Sequence, residues 1–529
     1  MKTALTQKWG AMICAAAVVA GLCPGLAMAT ALDDYVAAAD QSFAYTLVNT
    51  IAGTGYTAYV YDMTSQNWRD PNEISHTEWW HWLTIIVPDT VSHETALLYL
   101  DSPLGGVGFN RYGTYELRSN IPTTVDSILA GIATDTQSIV VQCEMVPNQQ
   151  LKFLSEAAGT WRHEDAVLAY SWKEFFDAYD ANSVDNYWPA NLPMTKATIR
   201  SMDAAQAICS GLNKTLDQFV ISGISKRGWS AWLAAAVDAL AQEPRVAAIA
   251  PMVFDALNLQ ESFQHHYDVY QSWSWPVQPY VDAGIFDRLG SPEADMLMEI
   301  IDPYEYLDRI DIPKYIVNSA GDPFFLPDSS QFYWDELQGP SWIRYVQNTD
   351  HDLNVDAFNA LEGFYWSILN SATLPTFLTI VDSDGSILVW SWTGYVTSAK
   401  LWQANNPTAR DFRHEVIGDA YTSTTADYWG YGMFFSEVPY PTEGWTAYFM
   451  ELTYQSAGPQ PTKFSTQVSI VLAGDVDGDL DVDDDDLAII DANIPTASGA
   501  YRDDGDMDGD GDVDGDDRDI AENNYGLGL

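Results

Sequence analysis

The chain has 529 residues, too many for one ordinary hydrophobic core, and 47% of them are apolar, which excludes global disorder. Its formal net charge of −50 repels nucleic-acid phosphates and anionic lipid headgroups, so both classes of partner are set aside. The excess is uneven: 20 of the 74 acidic residues crowd into residues 474–529, beside two arginines.

Residues 1–29 read as a secretory leader. Lys2 and Lys8 give a charged start, residues 11–22 are apolar, and Ala27-Met28-Ala29 supplies a small-residue cleavage site before Thr30. That apolar run is shorter than a membrane span requires, and no later stretch reaches one. The expectation is an exported chain without a span in its mature form: secreted, periplasmic or held at the cell surface. Loss of the leader leaves Cys143 and Cys209, whose pairing the spacing leaves open.

Apolar runs at 81–88, 95–100 and 138–143 predict strands, and a mostly helical stretch follows to about residue 212. Compact runs at 218–222, 247–253 and 314–318 are of the buried parallel-strand type, with a helix predicted over 229–241. Strand, helix, strand in alternation predicts an α/β domain with a mostly parallel sheet, over residues 30–374. It carries an N-terminal extension and an aromatic-rich, lid-like insertion near 256–305. After Pro375 short β-forming runs broken by Asp-Gly, Thr-Gly and Pro predict a small antiparallel, sandwich-like domain over 375–472. Residues 473–529 form a third unit.

The chemistry centres on Gly223-Ile224-Ser225-Lys226-Arg227-Gly228, where a predicted strand runs straight into a predicted helix. A tight turn of this kind lifts a serine hydroxyl above the sheet, and the N–H of Lys226 then lies at the helix start, where an oxyanion is stabilised. The usual elbow has its second glycine two residues after the nucleophile; here Arg227 stands there and Gly228 follows. Downstream, the run beginning at Lys314 ends on Asp322, and Gln347-Asn348-Thr349-Asp350-His351-Asp352 puts a histidine in a polar loop. Ser, Asp, His is the α/β-hydrolase order. In that reading Ser225 attacks a carbonyl, His351 takes its proton and Asp322 orients the imidazole. A second oxyanion N–H is expected in the loop after residues 95–100, at Leu104. Asp255 is the rival acid, with a helix N-cap as its plain alternative. His265-His266 offers two metal-ligand types with no third suggested, so it reads as lid or surface helix.

Residues from Trp68-Arg69-Asp70-Pro71 through Glu78-Trp79-Trp80-His81-Trp82, the stretch Leu192-Pro193-Met194-Thr195-Lys196, and the Ser225 motif resemble the PhoPQ-activated pathogenicity-related proteins. So do Gly321-Asp322-Pro323-Phe324-Phe325 and the segment from Leu401 to Arg413. The resemblance covers about residues 40–470. It implies an α/β-hydrolase related to prolyl-oligopeptidase-type peptidases, with a serine at Ser225 and Arg227 as a family trait.

The acidic tail holds two loops of twelve residues, 31 residues apart. Asp475, Asp477, Asp479, Asp483 and Asp486 fall at positions 1, 3, 5, 9 and 12, with Asp481 offering its carbonyl at position 7. Asp506, Asp508, Asp510, Asp512, Asp514 and Asp517 repeat the pattern. Hard carboxylate oxygens in this order predict two calcium ions, with no cofactor expected for catalysis itself. In the first loop Leu480 replaces the glycine that eases the turn at position 6, which weakens its expected affinity. Each loop precedes a short helix-like run, and the duplication resembles a type I dockerin module, implying a cohesin or cell-surface scaffold as partner. The composite expectation is a secreted serine hydrolase of peptide or ester bonds. The alternatives are a non-catalytic binding or signalling protein on a hydrolase scaffold, and a carbohydrate esterase attached to a cohesin scaffold.

Overall fold

The run Glu78-Trp79-Trp80-His81-Trp82-Leu83 does not alternate between apolar and polar, and beyond Glu78 the strand it forms is buried along its whole length. Strands covered on both faces need no polar side. In a computed structural model that describes residues 29–102, 118–382, 385–439 and 441–528, this strand lies inside a large mixed sheet. The leader and Leu104 lie outside the described residues, Ala29 apart. Among the described residues no helix is long and apolar enough to cross a membrane.

The strands follow in chain order as β1 (Ala44–Gly53), β2 (Tyr56–Asn67), β3 (Glu78–Pro88), β4 (Thr95–Leu100), β5 (Val140–Cys143), β6 (Gln218–Ile224), β7 (Val246–Met252), β8 (Lys314–Ser319) and β9 (Ser341–Val346). They pair in the order β1-β2-β3-β5-β4-β6-β7-β8-β9. From β5 across to β9 every pairing is parallel, while β1, β2 and β3 join antiparallel. Alternate residues of one strand feed two cores: Phe219 and Ile221 of β6 pack in one, Val220 in the other. Helices Asn191–Gly211 and Lys226–Asp238 cover the first face; Ser127–Thr136 and Val355–Leu369 cover the second. Their starts are fixed chemically where they matter, as where Asp126 accepts from the N–H groups of Ile128 and Leu129.

Residues 375–472 are antiparallel, and they divide between two sheets. β10 (Phe377–Val381), β11 (Ile387–Ser391), β14 (Asp427–Gly430) and β15 (Met433–Ser436) form a separate four-stranded sheet. β12 (Val396–Asn406), β13 (Thr422–Thr425), β16 (Trp445–Tyr454), β17 (Thr462–Ser465) and β18 (Ser469–Leu472) instead prolong the main sheet. The junction is the bridge between Ser465 of β17 and Ile343 of β9. Ile387 and Val389 of β11 pack with Leu401 and Met450 in one core, so the two layers face each other as a sandwich does. One of those layers is continuous with the main sheet, which sequence spacing did not indicate.

Helices Asp484–Asn493 and Gly515–Asn524 begin within the last three residues of the two acidic loops and run on from them. The unit they build shares a core with the body, Val476, Ile490, Met507 and Ala521 packing with Leu472 and Trp445. Buried Arg502 donates to the carbonyl of Leu472 at 3.0 Å and to that of Asp475 at 2.9 and 3.1 Å. Asn524 accepts from the Gly444 N–H at 2.9 Å and donates to the Thr442 carbonyl at 3.2 Å. Cys143 and Cys209 are both buried free thiols, which burial pushes up to about 12. Arg502→Ala is expected to weaken the seating of residues 473–528 by about 2 kcal/mol, the scale of charged hydrogen bonds to carbonyls. Limited proteolysis with mass spectrometry should then show cleavage near residue 473 well before the body is cut.

Candidate active site

The elbow at Ser225 is built by glycines that have no room for a side chain. A Cβ on Gly223 would lie 2.6 Å from the Cβ of Arg227 and 3.0 Å from the Leu100 carbonyl oxygen. One on Gly228 would meet the Gly223 carbonyl at 3.0 Å and the Met252 backbone at 3.2 Å. Helix Lys226–Asp238 therefore presses against β6 and β7 at Gly228, and the shifted glycine does the work of the usual one. Ser225 takes up the turn at φ 60, ψ −126, a conformation costing roughly 1–3 kcal/mol that its surroundings must hold. Its N–H donates to the Met252 carbonyl at 2.7 Å, and its side chain is nearly buried.

Asp322 and His351 come from the loops after β8 and β9. The Asp322 carboxylate accepts from His351 Nδ1 at 2.7 Å, with both side chains all but buried. The other Asp322 oxygen accepts from the Phe324 N–H, also at 2.7 Å, so the carboxylate is held at both ends. The Phe324 ring lies 4.3 Å from the imidazole, centroid to centroid. The two loops are laced together upstream of the pair, Ser319 Oγ donating to the Thr349 carbonyl at 2.7 Å. Gly321 fits because a Cβ there would strike that carbonyl at 2.6 Å and the His414 N at 2.9 Å.

His414 extends by one residue the strap, Leu401 to Arg413, that sequence resemblance marked and sequence reasoning left without a role. Its N–H donates to the Gly321 carbonyl at 2.9 Å. Arg410, also in the strap, is buried and pairs with Asp328, which His265 Nε2 reaches at 3.1 Å. Burial alone would raise Asp328, yet the bond from His265 and the charge of Arg410 hold its carboxyl well below the usual range. His266 turns elsewhere: Nδ1 donates to the Phe324 carbonyl and Nε2 accepts from the Ser274 N–H, each at 3.2 Å. Burial pushes its imidazole down to about 4. The histidine pair thus serves two separate contacts joining the insertion to the Asp322 loop.

The structure does not bring Asp255 to His351. Its two oxygens accept from the hydroxyls of Tyr333 at 2.5 Å and Tyr345 at 2.7 Å. Nor does it cap the next helix, Leu259–Tyr270, whose first N–H is bound by Asp302 at 2.6 Å. Lys226 sits at the helix start as the elbow requires, with its ammonium turned to Glu164 and Asp165. Those two acids lie some sixty residues upstream, and no local spacing signalled them. In the tail, the carboxylates of Asp475, Asp477 and Asp486, and those of Asp481, Asp483 and Asp486, each gather to within 4.8 Å of one another. Asp506, Asp508, Asp512, Asp514 and Asp517 gather in the same two groupings. Asp479 and Asp510 accept from the N–H two residues ahead, at 3.1 and 3.0 Å.

Strand order, elbow and the buried histidine–aspartate pair at the C-terminal edge of the sheet define an α/β-hydrolase fold. The profile of the PhoPQ-activated pathogenicity-related protein family matches residues 32–413, and the chain belongs to that family. It is 32% identical over 469 residues to the autocrine proliferation repressor protein A of Dictyostelium discoideum, covering 84% of this chain and 90% of that protein. Among solved structures it is similar to an acetyl xylan esterase from Paenibacillus sp. R4, with a TM-score of 0.43 and 13% identity over 64% of this chain and 95% of that one. A glucuronoyl esterase from Solibacter usitatus gives a TM-score of 0.36 and 12% identity over 64% and 90% of the two chains.

Burial raises the Asp255 carboxyl to about 7, against the pull of its tyrosine partners. A raised folded-state value means the folded protein holds a proton that the unfolded chain gives up, so this group's stabilising share is complete below about 4 and is lost as the pH rises through 7. Asp255→Asn, which has no such loss, should therefore melt closer to the wild type at pH 8 than at pH 5. Thermal melts at the two pH values check this; an equal difference at both would contradict it.

Proposed function

We propose that the protein is an exported serine hydrolase acting on a peptide or ester bond, with Ser225 as nucleophile, His351 as general base and Asp322 as its orienting acid. The observation that carries this reading is the buried 2.7 Å bond from His351 Nδ1 to Asp322, which fixes the tautomer whose Nε2 is free of hydrogen and able to take a hydroxyl proton. Ser225, strained at a helix start, supports it, since strain of this kind concentrates at functional sites. The Lys226 N–H, with a second donor at Leu104, would meet the oxyanion. Ester and amide carbonyls suit this machinery equally well.

We infer further that the acidic loops bind two calcium ions and that the module they build is dockerin-like, docking the enzyme to a cohesin or cell-surface scaffold. Only oxygen donors are present, which fits a hard cation, and Asp475, Asp477, Asp479, Asp481, Asp483 and Asp486 would hold one ion. Asp506, Asp508, Asp510, Asp512, Asp514 and Asp517 would hold the other. Leu480 at φ 71 takes the left-handed conformation that Gly511 takes at φ 93 in the second loop, and a branched residue pays for it. A second functional reading, a secreted binding or signalling protein, draws on the name of the Dictyostelium relative.

A fluorophosphonate adduct on the mature protein, located by mass spectrometry, separates these readings. The expected outcome is one adduct on Ser225, absent in Ser225→Ala and slowed about 10³-fold or more in Asp322→Asn, which loses the tautomer. No adduct on folded, calcium-treated protein would favour the binding role. Calorimetric titration with calcium should show two sites, the weaker of them strengthened in Leu480→Gly.

A further inference from the structure

The two residues after Ser225 are both cationic, and neither side chain faces water, at 6% exposure for Lys226 and 7% for Arg227. One carboxylate meets both. Glu164 accepts from Arg227 Nη1 at 2.7 Å and Nη2 at 2.6 Å, one on each oxygen, and from Lys226 Nζ at 2.9 Å. Asp165 takes a second contact from Lys226 at 3.0 Å, and receives the Tyr280 hydroxyl at 3.2 Å. Two buried cations thus face two carboxylates, one for each, and the Asp101 carboxyl also lies within electrostatic reach of Arg227. Burial would raise Glu164, but the charges of Arg227 and Lys226 hold it well below the carboxylate range, so it stays ionised.

Glu164 is also held where a side chain is costly. Its backbone lies at φ 49, ψ −130, close to that of Ser225 and outside the regions that L-residues ordinarily adopt. Gln149 clamps it from both sides, accepting from its N–H at 2.6 Å and donating to Oε1 at 2.7 Å. The strain is explained if this carboxylate must stand at this point.

We propose that Glu164, assisted by Asp165, is a specificity-determining positioning residue that cancels the Lys226 and Arg227 charges next to Ser225 in the chain, so that the site at Ser225 selects uncharged over anionic substrates. Without it, Asp165 would still meet Lys226, and one desolvated positive charge within two residues of Ser225 would be left uncompensated and favour an anion there. The inference rests on Ser225 being the nucleophile, and the test keeps the two apart.

Full-length wild type, Glu164→Gln and Lys226→Met are labelled with three fluorophosphonates of equal length, ending in an alkyl, a carboxylate or an ammonium group. Labelling rates are measured on Ser225, with circular dichroism and thermal melts to establish folding. Wild type should prefer the alkyl probe. Glu164→Gln should gain about tenfold in its carboxylate-to-alkyl rate ratio, and Lys226→Met should shift by about as much toward the ammonium probe, the scale of one unpaired charge near a partly desolvated site. A purely structural role would slow every probe alike, and ratios within about twofold of wild type in the folded variants would overturn the proposal. If Glu164→Gln does not fold, Lys226→Met decides alone. Wild type left unlabelled by all three probes overturns the nucleophile itself, and this inference with it.

Discussion

Everything at the site depends on how closely helix Lys226–Asp238 approaches the sheet. The approach is set by backbone contact, with the Gly223 carbonyl and the Met252 backbone standing where side chains at Gly228 would have to go. A helix this close leaves its first turn no slack, and Ser225 is forced to a positive φ. The cost is offset by the Ser225 N–H bond to β7 and by Trp229, whose ring stacks on Phe254 at 4.7 Å and whose indole N–H donates to the Ile301 carbonyl at 2.6 Å. Strand packing, helix placement and the position of one hydroxyl are in this sense a single constraint.

The same constraint explains the charges after the serine. With the usual glycine at its ordinary place, the helix start would be bare; here Arg227 occupies that place, and Gly223 accommodates its Cβ by having none. A guanidinium buried at that depth has to be paired, since an uncompensated buried charge costs several kcal/mol. Glu164 pairs it with a bidentate geometry that only arginine offers. The departure from the common elbow and the strained glutamate are therefore two ends of one interaction.

How much of this was legible in the sequence follows from the range of each interaction. Ser225 and Asp322 were marked by local chemistry, because a strand that ends on a turn announces itself in a few residues, and His351 was marked by the polar loop around it. β1 and β2 were read only as an extension, since their mixed polarity reflects an outer hairpin with one side facing solvent. β9 went unread because Arg344 sits at its centre, fully buried against Asp356 and Glu451, where an apolar run would be expected. Glu164 was invisible for the reason that makes it interesting: its partners lie 62 and 63 residues away. Asp255 looked like an acid at a strand end, and only the fold reveals the two tyrosines that occupy it.

The last module shows the opposite balance. The gathering of its carboxylates was legible, following from spacing within twelve residues, whereas its attachment was not. Only Ala473 and Gly474 separate the end of β18 from Asp475, the first residue of the first acidic loop. Gly474, at φ 85, passes so close to the last helix that a Cβ would lie 2.8 Å from the Ala521 Cα. Arg502 joins the Leu472 and Asp475 carbonyls, so the end of the sheet and the start of the loop are gripped by one side chain. A module fastened in this way has no flexible linker, and its orientation is set by the sheet extension that carries it. The extension in turn meets β9 at Ser465, one strand away from the loop that bears Asp322. The orientation of the tail relative to the elbow is thus written into a continuous sheet.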